Sequence, residues 1–199
     1  MTVIQCCFSA IIFVSTVSPA IADLNDSKVA CSEPKSATIS TAFDTSNTEI
    51  SMAIELLEAA ASPTIDKYTR WLGAPSSDVV AGVIEMLQQA RAYAGFQQSW
   101  CPNSSTSDLS WENGDLAGVH PSSVTDIFFV DDYFDISPTG IDSQSSTVIH
   151  EILHQVGANL QPEVYLTHEL EALAANNPER ARRNAQSLEY LVTDLLYGL

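Results

Sequence analysis

The chain is short of positive charge. Eight lysines and arginines stand against 25 aspartates and glutamates, giving a formal net charge of -17. A surface of that sign repels phosphate backbones and anionic headgroups, so neither nucleic acid nor a membrane surface is expected as a partner. It suits cationic substrates or work in acid, where many carboxylates are neutral; by itself it is only a solubility statement. Long apolar runs are also lacking. No segment offers the roughly 20 consecutive apolar residues that a spanning helix needs. Internal repeats and low-complexity tracts are absent, and an apolar fraction of 45% over 199 residues suits one domain with a real core, most simply a monomer.

The stretch from Met1 to Ala22 has no charged residue at all. It carries the apolar run Cys7 to Val17 and ends in Ala20-Ile21-Ala22, small residues suited to cleavage, so it outlines a signal peptide that lacks only the usual basic start. The expectation is a secreted, extracellular protein with a mature domain over residues 23–199. Cysteine is scarce, and losing the leader removes Cys6 and Cys7 and leaves Cys31 and Cys101. An even pair in an exported chain suggests one disulfide, which would stabilise by about 3–5 kcal/mol through closure of a long loop. Asn25-Asp26-Ser27 and Asn103-Ser104-Ser105 are acceptor sequons for glycosylation. The short stretch between Ala22 and Cys31 leaves little room for a long propeptide.

After a polar lead-in to about Ser40, Ile50, Ala53, Ile54, Leu57 and Ala60 fall at helical spacing and predict an amphipathic helix over Thr48 to Ala61, ended by Pro63. Tyr68, Trp71 and Leu72 precede a turn at Gly73-Ala74-Pro75. A second helix runs to about Ala94, capped by Ser77 or Asp78. Ser99 to Asn113 reads as loop, with Trp100 and Trp111 as anchors. Leu116 to His120 and Ile127 to Val130 read as short strands of a hairpin or sheet edge. Pro138-Thr139-Gly140 breaks the chain. Asp142 or Ser143 then caps a helix carrying Val148, Ile149, Ile152, Leu153 and Val156, which ends at Gly157. Val164 to Ala175 and Glu179 to Leu195 read as further helices, with Pro178 restarting the chain. The fold class expected is α+β, mainly helical, with a small sheet.

The chemistry lies in His150-Glu151-Ile152-Leu153-His154. Residues four apart share a helix face, so His150 and His154 can offer two imidazoles to one tetrahedral Zn2+ ion. Glu151 cannot ligate in the same turn without distortion, but it can take a proton from a zinc-activated water, as a metallopeptidase general base does. The apolar flanks bury the helix and leave the polar trio in a cleft; a surface helix with solvated histidines or a structural zinc site is the plainer alternative. Catalytic zinc needs a third protein ligand and one open position. Glu163, His168 and Glu169 are the candidates, and the turn at Gly157 and Pro162 favours Glu163, whereas His168 and Glu169 fit a solvated helix better.

The segment Gly140 to Glu151, through Asp142-Ser143-Gln144 and Thr147-Val148-Ile149-His150-Glu151, resembles the lead-in to the zinc helix of the aspzincin peptidases, the fungal deuterolysin and peptidyl-Lys metalloendopeptidase group. Tyr68 to Gly73 resembles that family's aromatic Trp-Phe-Gly segment. Asn177-Pro178-Glu179-Arg180-Ala181, Asn184-Ala185 and Glu189-Tyr190 resemble its C-terminal helix, and the Cys31 and Cys101 spacing resembles one of its disulfides. The resemblance covers nearly the whole mature chain. It implies a zincin-like domain with the cleft at the zinc helix, a Zn2+ cofactor, a protein or peptide substrate, and a third ligand in the turn after that helix. The family's Asp there is missing, and the role falls to Glu163, the nearest carboxylate. Tyr165 takes the place of the phenol that assists the oxyanion. Glu189 corresponds to one of two acidic side chains that bind the residue after the cut bond, while the other position is Gln186. The expected function is therefore a secreted zinc metalloendopeptidase with Glu151 as general base, without a claim to lysine preference. The competing reading is a weak or inactive descendant that binds zinc and keeps an interaction role.

Overall fold

The computed structural model describes residues 28–102, 115–120, 123 and 125–199. The leader-like stretch, both sequons and Trp111 lie outside the described residues. The elements in chain order are α1 (Glu33–Ala59), α2 (Ser62–Leu72), α3 (Ser77–Ala94), β1 (Gln98–Trp100), β2 (Ala117–Val119), β3 (Asp126–Phe129), a 3-10 turn (Asp131–Asp135), α4 (Gln144–Gln155), α5 (Thr167–Asn176), α6 (Pro178–Ala181) and α7 (Ala185–Tyr197). This is the expected α+β class, helices around a small sheet.

Helix α1 starts well before the expected Thr48. Glu33 and Pro34 occupy its first turn, where a missing N–H does no harm. Its buried stripe continues back from Ile50 through Ser46 and Ala42 to Ile39. The exposed threonines that make this stretch look like a lead-in donate their hydroxyls to carbonyls four residues back, at 3.1, 2.9, 2.8 and 3.0 Å for Thr38, Thr41, Thr45 and Thr48. Tyr68, Trp71 and Leu72 belong to a separate helix, α2, because Ala60 turns left-handed (φ 48) and Pro63 restarts the chain. Three helices, not two, therefore open the domain. Ser76 rather than Ser77 or Asp78 holds the cap position of α3.

The sheet has the order β1-β3-β2. The two expected strands do pair antiparallel, Ala117 with Phe129 and Val119 with Ile127. The segment beginning at Ser99 is not all loop, however: Gln98 to Trp100 lies parallel to Asp126 to Phe128. The Cys31–Cys101 disulfide, 70 residues apart in sequence, ties the start of α1 to the end of β1, and Ala30 pairs with Trp100 beside it.

Helix α4 is central, packed by α1, α3, α7 and β2. Val148, Ile149, Ile152 and Leu153 are all fully buried. The last expected helix is interrupted: Arg183 and Asn184 leave helical geometry because their polar groups hold the segment after α4. The Arg183 carbonyl accepts from Leu160 N–H at 2.8 Å. The Asn184 side chain accepts from Val164 N–H and donates to Val164 C=O, each at 2.9 Å. That clamp also explains why α5 begins at Thr167 and not at Val164.

Candidate metal centre

Helix α4 is pinned at its start by Ser143, whose Oγ accepts from Ser146 N–H at 3.2 Å while its own N–H donates to Ser146 Oγ at 2.9 Å. Beyond Gln155 the chain turns at Gly157, in a positive-φ conformation (φ 112), and runs back beneath the helix. Leu160 and Val164 are fixed by Arg183 and Asn184, so Glu163 is delivered to the histidine face.

The geometry there is compact. His150 Nε2 and His154 Nε2 lie 3.0 Å apart. Glu163 Oε1 stands 3.7 Å from the first and Oε2 3.1 Å from the second. Four ligand atoms placed tetrahedrally around zinc at its usual bond lengths are about 3.3 Å from one another. Two imidazoles and a carboxylate at these separations therefore fit that ion. The remaining ring nitrogens face away from the centre. His154 Nδ1 meets the Ala158 carbonyl at 3.0 Å and His150 Nδ1 meets Glu189 Oε2 at 3.2 Å, which leaves each Nε2 directed inward. Among the described residues, His168 and Glu169 are exposed on α5 and take no part in the group, which consists of His150, His154 and Glu163.

Glu151 is buried beside the trio. Burial raises its pKa, with Glu163 and Glu189 adding to the effect and the two histidines opposing it. For His150, burial disfavours the charge, but the Glu189 hydrogen bond and the Glu151, Glu189 and Glu163 carboxylates outweigh that and push its pKa up to about 9. Glu163 is also opposed by burial, yet the His154 hydrogen bond and both imidazoles hold it below the usual carboxylate range. Tyr165, 56% exposed, donates its hydroxyl to Glu163 Oε2 at 3.0 Å, and its ring stacks on His150 at 6.1 Å between centroids.

The first turn of α7 closes the site from outside. The Gln186 backbone N–H donates to Glu163 Oε1 at 3.2 Å, an N-terminal helix amide meeting a negative charge. The Gln186 side-chain amide donates to Glu189 Oε2 at 2.8 Å. Two recesses meet at the centre. One of about 350 Å³ is lined by Asp115, Asp142, Glu151, Gln186, Glu189 and Tyr190. The other, about 830 Å³, runs along β2 and is lined by Gly118, His120, His154, Gln155, Pro162 and Tyr165. Asp115 and the Ala158 carbonyl escaped sequence reasoning, and Asn184 entered it only as part of the family-like C-terminal helix, without its clamping role. Asn184 lay within the stretch read as a continuous helix, and nothing local marks the other two.

Comparison with known proteins bears on the family and the fold. A family profile described as lysine-specific metallo-endopeptidase matches residues 57–193. The peptidyl-Lys metalloendopeptidase of Armillaria mellea is 25% identical over 161 residues, which make up 80% of this chain and 44% of that protein. The chain thus spans less than half the length of this curated relative. Among solved structures, a zinc peptidase from Grifola frondosa superposes with a TM-score of 0.71 at 22% identity, covering 84% of this chain and 99% of that one, a likeness of fold. With the profile running from the end of α1 through α4 and into α7, the chain belongs to the aspzincin family of metallopeptidases.

Proposed function

We propose that the protein is a secreted zinc metalloendopeptidase that hydrolyses peptide bonds within protein substrates, with His150, His154 and Glu163 as the metal ligands. The observation that carries the reading is the meeting of that three-ligand group with buried Glu151 at the junction of two open recesses. Zinc, when bound, supplies a concentrated positive charge that acidifies water and polarises a carbonyl. Glu151 takes the proton of the attacking water as the new C–O bond forms, and delivers it to the amine as the C–N bond breaks. Tyr165 is exposed enough to turn from Glu163 and donate its phenolic hydrogen to the carbonyl oxygen as charge builds there.

The substrate lies along β2, an edge strand of the sheet, whose residues line the larger recess. An extended peptide pairing with such an edge is held by its main chain, with side chains entering the recesses alternately. Export rests on the uncharged leader-like stretch and on the disulfide, which persists in oxidising surroundings.

The test is digestion of casein by the purified mature protein with and without a zinc chelator, beside the Glu151→Gln variant. Chelator-sensitive cleavage is expected. The variant should lose about 100- to 10,000-fold in rate while keeping its zinc, the range typical of a lost general base. A wild-type protein that holds one zinc per chain and cleaves nothing would sink the peptidase reading in favour of a zinc-binding descendant.

A further inference from the structure

Glu189 occupies a position where the family resemblance implies a side chain that meets the substrate. Its surroundings point elsewhere. The side chain is 4% exposed, and its Oε2 takes both the His150 Nδ1 contact at 3.2 Å and the Gln186 amide at 2.8 Å. Although Glu189 also lines the smaller recess, its Oε2 is turned to His150 and Gln186.

From this geometry we infer that Glu189 is a positioning residue for the metal centre, acting through His150, with Gln186 as the clasp that holds it there. The inference rests on the proposed zinc site. In its neutral form His150 carries one proton, on either ring nitrogen. A carboxylate at Nδ1 accepts from an Nδ1–H and not from a bare Nδ1, so it selects the tautomer whose Nε2 lone pair faces His154 and Glu163. It also fixes the rotation of the ring and raises the donor strength of Nε2. His154 receives the same service from the Ala158 carbonyl, a weaker and uncharged acceptor, at 3.0 Å. The two ligands of one helix are thus oriented by different means, and only one depends on a side chain from another element. Gln186 fits this task better than a second carboxylate would: an amide donates to Glu189, whereas a like charge at the same place would push it away from the ring.

The decisive experiment compares zinc affinity, by competition with a chromogenic chelator, in the wild type, Glu189→Gln and Glu189→Asp, with Gln186→Ala as a milder disturbance. Positioning predicts a loss of zinc affinity of about 10- to 100-fold for both Glu189 variants, and less for Gln186→Ala. In the zinc-loaded wild type, the His150 Nδ1–H proton should give a downfield, slowly exchanging resonance in 15N-edited NMR spectra, shifted upfield in Glu189→Gln. In peptide cleavage, the loss should fall on kcat for neutral and basic peptides alike. Unchanged zinc affinity and an unmoved imidazole signal, with a rise in KM confined to peptides carrying a basic side chain, would overturn the inference and return Glu189 to the substrate. If a Glu189 variant fails to fold, the wild-type spectrum decides, since a rapidly exchanging Nδ1–H has no carboxylate partner. If the protein binds zinc but cleaves nothing, the peptidase proposal fails while affinity and spectrum still judge Glu189.

Discussion

Asp126 sits at the start of β3 with only 2% of its surface exposed, yet remains a charged carboxylate. Burial opposes that charge, but hydrogen bonds from Lys28, Ser123 and Trp100, together with the Lys28 charge, pull its pKa below the usual value. Lys28 Nζ lies 2.8 Å from Oδ2, and Trp100 Nε1 donates to Oδ1 at 2.6 Å. A carboxyl with a lower pKa folded than unfolded adds stability above its unfolded pKa, and that stability is lost as pH falls through the folded value. Denaturant melts of wild type and Asp126→Asn should therefore differ clearly at pH 7 and converge towards pH 3. A gap that persists undiminished at pH 3 would assign the effect to packing instead of charge. At this scale the sequence was legible where one element carries the whole pattern, as in His150, Glu151 and His154. Asn184 was not legible, because its two hydrogen bonds to Val164 exist only once two distant segments meet.

Among the elements, α2 depends on a single residue for its exit. Gly73 ends it at φ 79, and a Cβ there would come within 2.7 Å of the Ala174 carbonyl oxygen and of two carbons of Pro178. The first is backbone and the second a rigid ring, so neither can yield cheaply. Gly73→Ala is expected to destabilise by about 2–3 kcal/mol through overpacking and left-handed strain. For a domain of this size that lowers Tm by roughly 4–12 °C, readable by circular dichroism. A melt within a degree of wild type would show that α2 and α6 can separate without cost. The same contact explains the Gly-Ala-Pro turn signal, which was readable in the sequence though the reason for glycine was not. Helix α4 was legible from its apolar period and its Ser143 cap. Strand β1 was not, because three residues, Gln98, Ser99 and Trp100, are too few for a period and owe their extension to β3. The first half of α1 was hidden because serine and threonine favour turns when local propensity is read alone, and only burial of Ile39, Ala42 and Ser46 decides the matter.

For the whole molecule, the α+β class followed from the alternation of helical periods with short β-branched runs, whereas the sheet order needed pairings that no local window contains. The Cys31–Cys101 bond is the covalent tie between the first helix and the sheet. A bridge spanning 70 residues should stabilise by about 4 kcal/mol if it acts through the unfolded chain. The Cys31→Ser, Cys101→Ser double variant should melt about 8–16 °C lower, and wild type in strong reductant should approach it. Equal melting of all three would show that the bond only fastens a segment that is already held by the Ala30 and Trp100 pairing.

The placement of α7 has a consequence for how the protein is made. The histidine pair is complete by residue 154 and the carboxylate by residue 163, but the amide that clamps the intervening loop, the N–H that meets Glu163 and the partner of His150 all arise between residues 184 and 189. During synthesis the chain therefore carries the whole proposed ligand set, His150, His154 and Glu163, before the groups that arrange it exist. A polypeptide ending ahead of Asn184 would display the whole motif without the groups that arrange it.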